Sequence, residues 1–200
     1  MISNPEVVIV ILAAGASSRL GKPKQLINWQ GEPLLRLMVR RALQTSAKNV
    51  LVVLGAYAGQ IVPILAGQPV HVTINTQWSI GMGSSIRHAI QFIKQHFTKT
   101  EAVILMVCDQ PFLTTEHLQQ LINHYHRHGP PVVASFYNGI AGVPALFDRT
   151  WFDALLQLQP GEGAGKIIRS SAQTATVDFP EGKYDIDTSA DLSELEKRPV

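Results

Sequence analysis

Cysteine is almost missing from this chain: Cys108 is the single one among 200 residues. One thiol cannot close an internal disulfide, and no CxxC pair is present, so a reducing, cytoplasmic setting is expected. An excess of charge of one sign is also missing. Seventeen Lys and Arg stand against fifteen Asp and Glu, a formal balance of +2. The basic residues gather into no run or stripe, which argues against nucleic acid as a partner. Long hydrophobic runs are lacking too. The apolar segment Val7 to Ala14 falls well short of the roughly 20 residues needed to span a bilayer. Only Glu6 is charged ahead of it, so it does not read as a signal peptide, and no membrane partner is expected.

The composition is 46% hydrophobic and 16% charged, enough for one well-filled core. Two hundred residues suit one domain rather than two independent ones. Val7-Val8-Ile9-Val10-Ile11-Leu12 is a continuous β-branched run of the kind buried on both faces of a sheet. Similar runs occur at Val50 to Leu54, Val70 to Ile74, Ala102 to Val107 and Val132 to Ala134. Helical spacing lies between them. Pro33 opens a helix carrying Leu34, Leu35, Met38, Val39 and Ala42. Ile86, Ile90, Ile93 and Phe97 form a second such face, and Leu118, Leu121, Ile122 and Tyr125 a third. This alternation predicts a Rossmann-like three-layer α/β/α sandwich with a mostly parallel central sheet. Val143 to Phe147 reads as a strand that Pro144 confines to an edge or a bulge. Thr188-x-x-Asp191 matches the capping box of a terminal helix.

In such folds ligands gather beyond the carboxyl ends of the strands. That rule selects Ala13 to Lys24, Gly55, Asn75 to Ser85, and Asp109 to Phe112. The first segment, Ala13-Ala14-Gly15-Ala16-Ser17-Ser18-Arg19-Leu20-Gly21-Lys22-Pro23-Lys24, places small residues straight after a buried strand. Its backbone can approach a ligand closely and offer N–H groups to phosphate, while Arg19, Lys22 and Lys24 supply positive charge. It is not a Walker loop, because five residues separate Gly15 from Gly21 and Pro23 stands at the Ser/Thr position. No GxGxxG follows the strand either. From spacing alone, a solvated basic loop remains the alternative.

Asp109, at the end of an apolar strand and before Gln110-Pro111, is placed to hold Mg²⁺ beside a phosphate, although a turn aspartate would look the same. Gly81 and Gly83 relax the backbone before a helix expected to begin near Ser84. Asn75 could read a base or ribose there, or Ser84 and Ser85 could simply cap the helix. Asp185 and Asp187 fall on one side of an extended segment and could add a second metal ligand or close a turn. Cys108 and Met38, Met82 and Met106 read as packing. His124, His126 and His128 read as a solvated helix face.

Taken together these residues resemble a known family. Leu12-Ala-Ala-Gly-x-Ser-x-Arg-x-Gly-x-x-Lys24 looks like the nucleotide-binding signature of the molybdopterin nucleotidyltransferases, nearest to the molybdenum cofactor cytidylyltransferases. Asn75 to Ser85, Cys108-Asp109-Gln110-Pro111, Gly142-x-Pro144 and Asp185-x-Asp187-Thr188 follow in the family's order over nearly the whole chain. The resemblance implies Mg²⁺, with Mn²⁺ as a substitute, and a nucleoside triphosphate, CTP or another. It implies transfer of the nucleotidyl group to molybdopterin or molybdenum cofactor, with release of pyrophosphate. A molybdoenzyme or its chaperone is the protein partner it suggests.

Carried onto this chain, residues 1–110 form a nucleotide-binding half and 111–200 an acceptor-binding half. Leu12, Ala13, Ala14, Gly15, Arg19, Lys24, Gly55, Asn75, Gly81, Ser84 and Asp109 would contact nucleotide. Arg19, Lys24 and Asp109 would act in catalysis, and Asp109 with Asp187 would hold metal. Ala14 stands where guanylyltransferases typically have Gly, which points to the cytidylyl branch. Gly161 stands where many relatives have Asp before the late helix, a departure that bears on the acceptor. The rival readings are a guanylyl-, sugar- or alcohol-phosphate nucleotidyltransferase, and a non-catalytic nucleotide-binding partner of a molybdoenzyme.

Overall fold

The computed structural model describes residues 5–197. Along the chain run β1 (Glu6–Ala13), a short hairpin of β2 (Asn28–Trp29) and β3 (Glu32–Pro33), α1 (Leu34–Leu43), β4 (Asn49–Leu54), α2 (Ala58–Ile61) and β5 (His71–Ile74). Then come α3 (Met82–His96), β6 (Thr100–Val107), α4 (Thr115–His128), β7 (Val132–Tyr137) and β8 (Ile140–Asp148). The chain finishes with α5 (Phe152–Leu156), α6 (Gly165–Ser170), β9 (Thr174–Asp178) and α7 (Ser189–Leu195).

Seven strands form one sheet in the order β5-β4-β1-β6-β8-β7-β9. β1 pairs in parallel with β4 and β6, as do β4 with β5 and β7 with β9, whereas β8 runs antiparallel to both its neighbours. The uninterrupted apolar run of β1 follows from its central place, because alternate side chains enter opposite layers. Val7, Ile9, Ile11 and Ala13 pack with Leu34, Leu37 and Met38 of α1 and with Leu118 and Ile122 of α4. Val8, Val10 and Leu12 pack with Ile86, Ile90 and Ile93 of α3 and with Phe152 and Ile167 from the C-terminal helices. The sheet thus has a helical layer on each face, as the strand–helix alternation predicts.

Four local expectations change. Pro33 ends β3 and caps α1 from outside rather than opening it. α3 starts at Met82, not near Ser84, because Gly81 at φ +123° supplies the turn into it. β5 is an edge strand whose Val72 and Ile74 are exposed, so its apolar run is not buried on both faces. β8 is an interior strand rather than an edge, although the bulge expected at Pro144 is present. Ala134 pairs with Ala145 and Ser135 with Gly142, so the ladder skips Val143 and Pro144 and asks no N–H of the proline. The capping box of α7 is formed: Thr188 accepts from the amide of Asp191, and the Asp191 carboxylate accepts from the amide of Thr188 at 2.7 Å.

Candidate active site

Four parallel strands, β5, β4, β1 and β6, end along one rim, and the segments that leave them meet there. The loop after β1 is shaped by its own backbone. Ser17 adopts φ +52° and Gly21 +74°, and the Ser17 carbonyl accepts from the amides of Leu20 and Gly21. Ser17 Oγ accepts from the Lys24 amide at 3.2 Å, and the Leu20 side chain is buried beneath the loop. The amides of Gly15, Ala16 and Ser18 find no acceptor among the described residues, the state expected of a loop that receives an anion.

Lys24 is the centre of the arrangement. Its Nζ lies 2.8 Å from Asp109 Oδ2 and 2.9 Å from Asp187 Oδ1, and Arg19 Nη2 lies 2.9 Å from Asp187 Oδ2. Burial works against the Lys24 ammonium, but Asp109 and then Asp187 outweigh it and hold its pKa above the ordinary lysine range. Partial burial opposes charge on Asp187 as well, yet Lys24 and Arg19 keep its carboxyl below the usual range. Asp185 behaves differently. Burial, with the nearby charges of Asp109 and Asp187, pushes its pKa up to about 6. The Cys108 thiol is buried and pushed up to about 12, which agrees with a packing role.

Two cavities adjoin at the loop and share Leu12, Gly15, Ser18 and Met82 in their walls. The first, about 210 Å³, holds Arg19, Lys24, Asp109 and Asp187. The second, about 270 Å³, is walled by Ala14, Ala16, Trp78, Gly81 and Ser85. Charge therefore lies at one end of a continuous groove, and small and aromatic surface at the other. That polarity suits a molecule with an anionic tail and a planar head.

The donor set can be tested against a divalent cation. Asp109 Oδ1 is buried without a hydrogen-bond partner, and Asp109 and Asp187 already grip one positive group between them. No group of three or more His, Cys, Asp or Glu gathers among the described residues. Two carboxylates completed by ligand phosphates and water are what Mg²⁺ commonly takes, so the residues fit such an ion.

Not every expected contact lines the groove. Asn75 is buried behind the wall, its Nδ2 donating to Ser84 Oγ at 2.9 Å and Ser85 Oγ at 3.1 Å, its Oδ1 accepting from the Gln77 amide. Ser84 is likewise committed, donating to the carbonyls of Gln77 and Gly81. Gly55 lines neither cavity. A Cβ there would lie 2.5 Å from the Ala14 carbonyl oxygen and 2.6 Å from Trp78 Cβ, so glycine lets β4 support both residues from below. Trp78 stands in a wall within the segment Asn75 to Ser85 that the strand-end rule selects, although no contact was assigned to it. Gln25 stands in the other wall one residue beyond the selected Ala13 to Lys24, and sequence position alone gives no signal for it.

The fold agrees with the comparisons. Residues 9–176 match the family model of the MobA-like NTP transferase domain. The chain belongs to that family. Among curated relatives, this MobA-like protein is 34% identical to the nicotine blue oxidoreductase of Paenarthrobacter nicotinovorans, over 82% of its own length and 81% of the relative's. It is 28% identical to the purine catabolism protein PucB of Bacillus subtilis (strain 168), over 84% and 82%. Among solved structures, Rv0371c of Mycobacterium tuberculosis H37Rv superposes with a TM-score of 0.84 at 25% identity, covering 98% of this chain and 100% of that one. A structure of Rv0371c in complex with manganese gives 0.79, covering 96% and 100%. No helix among the described residues is long and apolar enough to cross a membrane.

Proposed function

We propose that this MobA-like chain is a divalent-metal-dependent nucleotidyltransferase that moves CMP from CTP to the terminal phosphate of molybdopterin or molybdenum cofactor. The observation carrying the proposal is the Lys24 ammonium set between Asp109 and Asp187 beside a loop with unengaged amides. In this reading residues 1–110 hold the nucleotide and 111–200 present the acceptor.

The base would sit in the cavity of Ala14 and Trp78, and the triphosphate would run toward Arg19 and Lys24. The two cations leave the carboxylates for the phosphates, offsetting charge that grows as the α-phosphorus is attacked. Asp109 and Asp187 would hold Mg²⁺ or Mn²⁺, which supplies Lewis-acid polarisation of phosphate oxygens when bound. An oxygen of the acceptor phosphate attacks the α-phosphorus, and the bond to the β-phosphate oxygen breaks. Pyrophosphate leaves with that electron pair. The attacking oxygen is already ionised at neutral pH, so the chain need supply no general base, only alignment. Asn75 and Ser84 then act on the nucleotide through the wall they build rather than by contact. The relative with manganese in its structure supports the metal, and Ala14 supports CTP over GTP.

The test is pyrophosphate release across the four nucleoside triphosphates, with and without molybdenum cofactor. CTP with cofactor should be the productive pair, and Asp109→Asn should remove turnover while the variant still folds and melts cooperatively. Equal activity in that variant, or release with a sugar phosphate instead, overturns the assignment. The relative named an oxidoreductase favours redox chemistry as the second reading. Consumption of a nicotinamide cofactor without pyrophosphate would select it.

A further inference from the structure

Gln25 takes no part in the chemistry described above, yet it is 2% exposed and forms part of the wall beside Lys24. Its Nε2 donates to two carbonyls of the loop after β1, Ala13 O at 2.7 Å and Gly15 O at 3.1 Å. Both amide hydrogens are thereby used. The other end of the amide, Oε1, is buried with no partner. Exchanging oxygen and nitrogen would set Oε1 against two carbonyl oxygens, so the orientation is fixed by its partners.

In a trans peptide the C=O of one residue and the N–H of the next lie in one plane and point in opposite directions. Fixing Ala13 O and Gly15 O toward Gln25 therefore turns the N–H groups of Ala14 and Ala16 the other way. Gln25 stands in the wall of the first cavity, while Ala14, Gly15 and Ala16 line the second. An orphan buried oxygen is a standing cost that an apolar side chain of the same size would avoid. Gln25 is thus better explained by the geometry it imposes than by stability.

We infer that Gln25 is a positioning residue, which holds the loop's peptide planes so that their amides face the nucleotide. This rests on the loop being the nucleotide site. Gln25→Leu keeps the volume and removes both hydrogen bonds. It should weaken CTP binding with Mg²⁺ about tenfold, and raise the apparent KM for CTP by a similar factor, while kcat at saturation stays within about threefold. Gln25→Glu keeps the shape but, when ionised, sets a carboxylate against the two carbonyls. Protonated, it can again donate to one of them.

Its CTP affinity should therefore be low at pH 8 and recover several-fold by pH 5.5, beyond any change in the wild type measured alongside. A merely space-filling role would not produce that pH profile. Unchanged CTP affinity in Gln25→Leu overturns the inference. Should that variant fail to fold, absence of acid recovery in Gln25→Glu overturns it instead, and recovery supports it. Failure of the wild type to bind any nucleoside triphosphate would refute the nucleotide reading itself, a different outcome from either.

Discussion

Lys24 holds the place that a metal ion would need, and this makes a quantitative expectation about Lys24→Met. In the structure its ammonium bonds Asp109 and Asp187 at 2.8 and 2.9 Å, with only 14% of the lysine side chain exposed. A shielded charge-assisted bond is worth about 1.5–3 kcal/mol, while one to a carboxylate as exposed as Asp187, at 33%, is worth nearer 0.5–1 kcal/mol. A cation arriving without nucleotide must displace both, at a cost of roughly 2–4 kcal/mol, or about 30–900-fold in affinity. A triphosphate removes that cost by giving the ammonium another anion. Metal and nucleotide should therefore bind the wild type cooperatively. Lys24→Met should bind Mn²⁺ alone about 30–900-fold more tightly than wild type, while losing affinity for CTP. Free Mn²⁺ followed by electron paramagnetic resonance, with and without CTP, measures all four affinities. If the variant binds Mn²⁺ alone no better than wild type, the competition inferred from these ion pairs is wrong.

Three further outcomes are expected. Ala14→Gly widens the cavity that Ala14 lines and that is proposed to take the nucleoside, and should raise the GTP-to-CTP rate ratio; an unchanged ratio would remove Ala14 from base choice. Gly55→Ala forces a methyl against the Ala14 carbonyl and Trp78, and should cost about 1–3 kcal/mol of stability and raise the KM for nucleotide, read from thermal melts and initial rates. A melting temperature equal to wild type would mean the wall can shift freely. His117, buried and held down to a pKa of about 4 by its burial, donates to Ser135 Oγ, which itself donates to Pro144 O. Because its folded pKa lies below the unfolded value of 6.5, its contribution is present above that value and is lost as pH falls toward 4. His117→Gln should lose roughly 2 kcal/mol less than wild type between pH 7 and 4.5, measured as urea midpoints at those two values. Parallel acid slopes in the two proteins would refute it.

Much of the rim was legible because its residues lie close in sequence to the strands that carry them. Arg19 and Lys24 follow β1, Asp109 follows β6, and an apolar run long enough to be buried on both faces announces each strand. The small residues between Ala13 and Gly21 led in the same way to the expectation that the backbone can approach a ligand there. Helices α1, α3 and α4 were legible from their spacing, and the capping box of α7 from Thr188 and Asp191.

The exceptions arise where a local pattern is compatible with several long-range arrangements. An apolar run does not say which strand lies at the edge, so β5 could not be told from β4. Pro144 left β8 as either an edge or a bulged strand, and only its register with β7, which passes over the proline, decided for the bulge. Asn75 had free donors and acceptors in the sequence, and its commitment to Ser84, Ser85 and Gln77 appears only once β5 and α3 meet. What the sequence determined by itself is β1 and β4 to β8, though not the β2–β3 hairpin or β9, and the residue types waiting at the ends of those strands, since periodicity and the residues after each run are local. Only the tertiary structure decided that Asp187 comes back across 163 positions to share Lys24 with Asp109, and that Gln25 turns inward to hold two carbonyls. Such meetings depend on how the layers close, because burial makes each of these polar groups seek partners that the chain order does not name.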